Sequence, residues 1–196
     1  MKAIMISIKP KYFELIMNGE KTIEVRKNKA LASAIQKLID KNGYADIYVY
    51  CSKNGVDRNG MPTELVDYRG CVIYNRFQLM PKGSKATSDD EQPRLNGKVV
   101  FKFRCYKVEE WHNYSWQEIT KNAYLTDDEL RDYSKGVASL YCIHISDLEI
   151  FDKPKELSEF RHITHFRSYG SFRVDIEEQI MPLTKAPQNF CYVEVD

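Results

Sequence analysis

Residues 19–27 read GEKTIEVRK, five charged side chains set around Thr22, Ile23 and Val25. On an extended strand successive side chains alternate between faces, so Thr22, Glu24 and Arg26 share one side and Ile23 and Val25 the other. The two apolar residues can then enter a core while a hydroxyl, a carboxylate and a guanidinium line up about 7 Å apart at i and i+2. Lys21, at the turn into the strand, can bend over the same face. The set offers donors of fixed geometry, one acceptor and a mobile cation, which suits a planar polar ligand such as a nucleobase or its phosphate. The competing reading is a solvent-facing strand whose ion pairs are worth under about 1 kcal/mol.

Elsewhere the chemistry is thinner. His162 and His165 have metal-like spacing, but two ligands make no site, and no metal is expected. Cys51 has no histidine partner nearby in sequence, which argues against a nucleophile. Trp111, Tyr114 and Trp116 could stack on bases or simply pack in a core. The sequence contains no HExxH, Walker loop, GxSxG or GxGxxG, and no cofactor is expected.

The elements that must position the charged stretch are legible around it. KAIMISI is a strand, and Pro10 suits the first turn of the helix that follows, with Phe13, Ile16 and Met17 on one face. Asn18-Gly19 stops that helix, and TIEVR has the β-branched alternation of a strand. KALASAIQKLIDKNG predicts a second helix, striped by Leu31, Ile35, Leu38 and Ile39 and ended by Gly43; ADIYVYCS is the next strand. Residues 53–96 change character, turn-rich and then polar, and read as an insertion, a hairpin with a loop. GKVVFKFRCYKVEEW and ASLYCIHISDLEIF each read as one strand, with two short helices between them. Thr126 with Glu129, and Ser115 with Glu118, have capping-box spacing. DKPKELSEF reads as a turn and short helix, QNFCYVEV as the closing strand, and residues 161–185 fit no clear element. Helices inserted into a mostly β order favour an α+β fold over a doubly wound one.

Composition bounds the function. The chain of 196 residues fits one domain carrying a large insertion, and a hydrophobic fraction of 43% provides a core. With 29 basic against 28 acidic residues, long-range attraction to a polyanion is weak, so any nucleic-acid contact must be local. The N-terminus reads as a first strand and not a signal peptide, and no apolar run approaches the roughly 20 residues of a membrane span. Five widely spaced cysteines without a CxxC pair read as buried free thiols, which points to the cytoplasm.

Gly19, Lys21, Glu24 and Arg26 form the pattern GxKxxExR, preceded by the strand ISIKP and the helix KYFELIMNG. In that context the chain resembles the ASCH domains of the PUA-like superfamily. ADIYVYCS, GKVVFKFRCYKVEEW, SLYCIHISDLEIFDKPKELSEF and KAPQNFCYVEV are similar to the family's later strands, so the resemblance covers residues 1–52 and 97–196. It implies a small PUA-like β-barrel with flanking helices, and a cleft beside the first helix and the motif strand. It also implies RNA, nucleotide or nucleoside binding. Lys21, Glu24 and Arg26 would form the ligand site with Thr22, and Ser7, Lys9, Tyr50 and Ser52 would be its neighbours, Tyr50 stacking on a base.

The resemblance also implies two enzymatic alternatives, with Lys21 and Glu24 as catalytic residues: an amidohydrolase acting on N4-acylcytidine, and a ribonuclease. The first branch has its nucleophilic threonine where this chain has Glu24. The second has a tyrosine near the position of Leu15, with Tyr12 one helical turn away. A third alternative is a protein-interaction adaptor docking through residues 53–96.

Overall fold

The computed structural model describes residues 1–9, 12–52, 65–66, 72–73, 95, 97–112, 116–169 and 174–195. The first apolar run forms strand β1 (Lys2–Ile8), and its neighbour in space is β3 (Ala45–Cys51), paired parallel with Ile4 opposite Ile47 and Ile8 opposite Cys51. Parallel neighbours need a long crossover. Here it contains helix α1 (Phe13–Met17), strand β2 (Ile23–Arg26) and helix α2 (Lys29–Asn42). The motif strand is therefore part of a crossover and lies off the main sheet.

Helix α2 follows from its sequence. Asn28 caps it by accepting from Leu31 N, and Leu31, Ile35 and Leu38 are buried on one face. Gly43, at φ +84°, takes the left-handed conformation that ends the helix, its N–H donating to the Ile39 carbonyl. Gly19 does the same after α1 at φ +75°, releasing the chain toward β2.

After β3 come the short strands β4 (Leu65–Val66) and β5 (Val72–Ile73), which pair with each other. The remaining elements are β6 (Val99–Cys105), β7 (Val108–Trp111), α3 (Trp116–Ala123), α4 (Asp127–Ser134), β8 (Leu140–His144), β9 (Ser146–Lys155), a 3-10 turn at Leu157–Glu159, β10 (Arg161–Tyr169), β11 (Val174–Pro182) and β12 (Phe190–Glu194). The main sheet runs β11-β10-β12-β1-β3-β6-β9, and a second sheet runs β2-β8-β7. The architecture is mixed α+β and mostly sheet. Among the described residues the pairings give these open orders; barrel closure, expected from the resemblance, is not among them.

Two long runs expected as single strands are each divided between the two sheets. GKVVFKFRCYKVEEW becomes β6 in the main sheet and β7 in the small one. ASLYCIHISDLEIF breaks between β8 and β9, where Asp147 has φ +44° and Ile145 N donates to the Thr22 carbonyl. Alternation of side chains continues across such a corner, so periodicity alone does not reveal it. DKPKELSEF is strand as far as Lys155 and then only a 3-10 turn, while the unplaced residues 161–185 contain the β10–β11 hairpin. The 53–96 insertion, apart from β4, β5 and Leu95, lies outside the described residues, as do Tyr114 and the Ser115–Glu118 cap.

Among the described residues three clusters hold the fold. One face of the main sheet packs Ile4, Ile6, Ile47, Val49, Phe101 and Phe103 against α1 and α2 through Phe13, Ile16, Leu31 and Ile35. The opposite face packs Met5, Tyr48, Tyr50, Phe160 and Val193. A smaller cluster joins β2 and β8 to α3 and α4: Ile23, Val25, Ile119, Ala123, Leu130 and Cys142. Cys51, Cys105, Cys142 and Cys191 are buried free thiols; burial pushes Cys51, Cys142 and Cys191 up to about 12 and Cys105 to about 11, so none is a ready nucleophile.

Candidate functional site

Strand β2 pairs antiparallel with β8, Glu24 opposite Ile143, and sends Ile23 and Val25 into the small cluster. Glu24 turns the other way but does not reach open water: it is only 7% exposed. Arg26 Nε lies 2.8 Å from Glu24 Oε1 and Lys21 Nζ 3.4 Å from Glu24 Oε2, so two cations flank one carboxylate. The Nε–H is poorly aimed along its contact and makes no hydrogen bond, whereas Arg26 Nη2 donates to the Ser7 carbonyl at 2.7 Å.

Lys21 departs furthest from expectation. It is 2% exposed, and its ammonium donates to the Ile23 carbonyl at 2.8 Å and the Ala123 carbonyl at 2.7 Å. With Glu24 these acceptors use the three protons an ammonium has. Ala123 ends α3, so Lys21 satisfies one of the helix's orphan carbonyls and sits at the favourable end of its dipole. Thr22 N takes a second, from Asn122 at 2.9 Å. The Tyr12 ring lies beneath the ammonium, 5.0 Å from Nζ to the centroid. Burial pushes the Lys21 pKa down, with the Glu24 charge opposing. Lys21 is a fixed tie between β2 and α3, not a mobile cation.

Beside this triad opens a cavity of about 590 Å³. Its floor and near wall are Ser7, Ile8, Lys9, Tyr12, Lys21, Glu24, Val25, Arg26 and Ser52; its far wall is Leu125, Glu129, Asp132 and Tyr133, with Gln188 at the edge. Of the residues expected at the site, Lys21, Glu24, Arg26, Ser7, Lys9 and Ser52 line one cavity. Ser7 is committed, its hydroxyl donating to the Pro187 carbonyl at 2.8 Å, while Lys9 is exposed at the lip.

Thr22 and Tyr50 do not line it. Thr22 precedes the strand and is exposed, its N–H held by the Asn122 carbonyl of α3. Tyr50 is 4% exposed in the second core, because alternation along β3 sends Tyr48 and Tyr50 opposite to Val49 and Cys51. Burial raises its phenol pKa. The aromatic rings the cavity does have are Tyr12 and Tyr133. Tyr12 was in view in the sequence only as a neighbour of Leu15. Tyr133 was hidden: TDDELRDYSKG announces a capped helix but not which strand it faces.

Among the described residues no group of three or more His, Cys, Asp or Glu is placed to hold a metal ion, and no helix is long and apolar enough to cross a membrane.

The ASCH domain family model matches residues 6–122, more than half of the chain and including the whole charged motif. The chain belongs to the ASCH family. The match runs through residues 53–96 and stops before α4 and the C-terminal strands, which the sequence resemblance had also included. Similar solved structures are the ASCH protein of Zymomonas mobilis (18% identity, TM-score 0.45, covering 79% of this chain and 73% of that one) and the N-terminal domain of Staphylothermus marinus McrB (14% identity, TM-score 0.42, covering 80% and 77%). No curated protein matches. In this ASCH chain, then, the near wall of the cavity lies within the family match and the α4 wall outside it.

Proposed function

We propose that this protein, a PUA-like ASCH domain over residues 1–196 with 53–96 as an insertion, binds RNA or a nucleoside or nucleotide in the cavity beside β2. One observation carries the reading: Glu24 is nearly buried, is oriented by a cation on either side, and still lines a cavity of nucleoside size. A carboxylate beside a guanidinium presents an acceptor next to donors, the complement of a base edge with an amino or imino group next to a carbonyl or ring nitrogen. Family membership supports the same direction. The hydrolase and ribonuclease readings draw less support, since Lys21 has spent its protons on two carbonyls and Glu24. Docking of a protein through residues 53–96 has no described surface to argue from.

Titration calorimetry with the four ribonucleosides, their 5′-monophosphates and a short single-stranded RNA tests the proposal. Binding of at least one class is expected, with Glu24→Gln reducing the preference among bases about tenfold, the worth of one well-placed pair. Absence of binding by every ligand at millimolar concentration would defeat it.

A further inference from the structure

The near wall of the cavity lies within the family match, and the far wall, helix α4, does not. What α4 contributes is unlike what a phosphate site requires. Phosphate recognition uses unspent cationic donors or an open helix N-terminus. Lys21 is saturated, and Arg26, its charge paired with Glu24, gives one Nη2 N–H to the Ser7 carbonyl and leaves its Nε–H without a hydrogen bond. The N-terminus of α4 is closed by its own capping box, Thr126 Oγ1 accepting from Glu129 N and Glu129 Oε2 from Thr126 N. Two lysines beside α4 are occupied: Lys27 donates to the Lys135 carbonyl and sits 5.0 Å over the Tyr133 ring, and Lys135 pairs with Asp132 at 2.6 Å. Into this surrounding α4 brings two carboxylates, Glu129 and Asp132, and one aromatic ring. Lys9 at the opposite lip is the cation of the lining for which the described residues show no engagement.

Tyr133 is the complementary part. It lines the cavity and keeps 37% of its surface exposed, a large value for a tyrosine packed beside a site. A planar heterocycle with its edge on Glu24 and Arg26 would find in this ring apolar surface to lie against.

We propose that helix α4 sets the selectivity of the cavity, with Tyr133 packing against an uncharged base or nucleoside and the Asp132 and Glu129 carboxylates rejecting a phosphate. The inference rests on the binding role proposed above and narrows it: in an RNA, the base would enter and the backbone would stay outside.

The test is competition calorimetry of each ribonucleoside against its own 5′-monophosphate, with wild type, Asp132→Lys, Tyr133→Ala and Tyr133→Phe. Thermal unfolding is followed for every variant, so that a lost fold is not read as a lost contact. In the wild type the nucleoside is expected to bind about fivefold tighter than its monophosphate, the size of one like-charge contact screened as in water, as the exposure of Asp132 implies. Asp132→Lys should move that ratio about fivefold or more toward the monophosphate. Tyr133→Ala should weaken the nucleoside about tenfold, and Tyr133→Phe should keep its affinity. A monophosphate that binds as tightly as its nucleoside, or an Asp132→Lys ratio equal to wild type, overturns the inference and leaves nucleotide binding standing. Silence toward both ligands and toward RNA overturns the binding role itself, and this inference with it.

Discussion

The two walls of the cavity are built on opposite principles. On the β2 side a carboxylate and the Lys21 ammonium are buried and Arg26 is half-buried beside them, each charged group held by others, and Lys21 also closes the end of α3. On the α4 side a two-turn helix keeps one buried residue, Leu130, and leaves its charged side chains in water. Charges taken out of water must be paired or they destabilise strongly, so the first wall tolerates little change. Exposed charges contribute little to stability and can be exchanged freely, so the second wall can vary without endangering the fold. Fixed geometry sits on one side of the cavity, and exchangeable surface charge on the other.

The largest effect should come from Lys21→Met. It strips two carbonyls of their donor and leaves Glu24 with Arg26 alone, a loss of about 3 kcal/mol in urea unfolding. Adding Glu24→Gln to it should recover part of that loss, because the second change removes the under-compensated charge. A cost below about 1 kcal/mol would mean that the two walls do not differ in the way described. The pH dependence sharpens the point. Burial holds the Lys21 pKa below its ordinary 10.5, so between the lowered value and 10.5 the unfolded chain binds more protons than the folded one. The protonation-linked part of the Lys21 contribution is therefore greatest above pH 10.5 and is lost as pH falls through the folded value, while the contribution of its contacts to the two carbonyls remains. The gap between wild type and Lys21→Met should widen as pH rises through that window.

A smaller effect is expected at Leu130, which is fully buried against Ile119 and the small sheet. Leu130→Ala should cost about 2–3 kcal/mol by transfer and cavity terms. Because it is the only buried residue of α4, hydrogen exchange should show the loss concentrated in that helix and its neighbour α3, with β1 and β3 unmoved. Uniform loss across the main sheet would make α4 an integral part of the core.

What the sequence disclosed and what it withheld divide along the same line. Alternation placed Ile23 and Val25 in a core, the leucine–isoleucine stripe placed α2, and the spacing of Thr126 and Glu129 announced a capping box that the structure contains. These are local properties, fixed by neighbours a few residues away. The destination of Tyr50 was not local: strand period says that Tyr50 and Val49 face apart, but not which face meets the cleft. The burial of Lys21 was equally hidden, because its partner at Ala123 stands 102 residues away. The corners that split two long strands between sheets left no mark in the hydrophobic pattern either. Family resemblance supplied the motif wall of the cavity; it also spanned α4 but singled out no residue there, and the family model match ends before that helix.

The most delicate comparison is at Thr126. Its hydroxyl accepts from Glu129 N at 3.1 Å, and Glu129 Oε2 accepts in return from Thr126 N at 3.0 Å. Thr126→Ala removes one half of that box and should cost about 1 kcal/mol, the usual worth of an N-cap. If the α4 wall opens as a local unit, the whole cost falls on its own opening equilibrium, and its amides should exchange about fivefold faster while those of β2 keep their rate. If instead the walls are coupled through α3, whose last carbonyl is held by Lys21, then β2 amides must accelerate by the same factor. The first outcome makes α4 an independently adjustable wall. The second would make the saturation of Lys21 a constraint on both walls, and α4 could then not be altered without disturbing the motif.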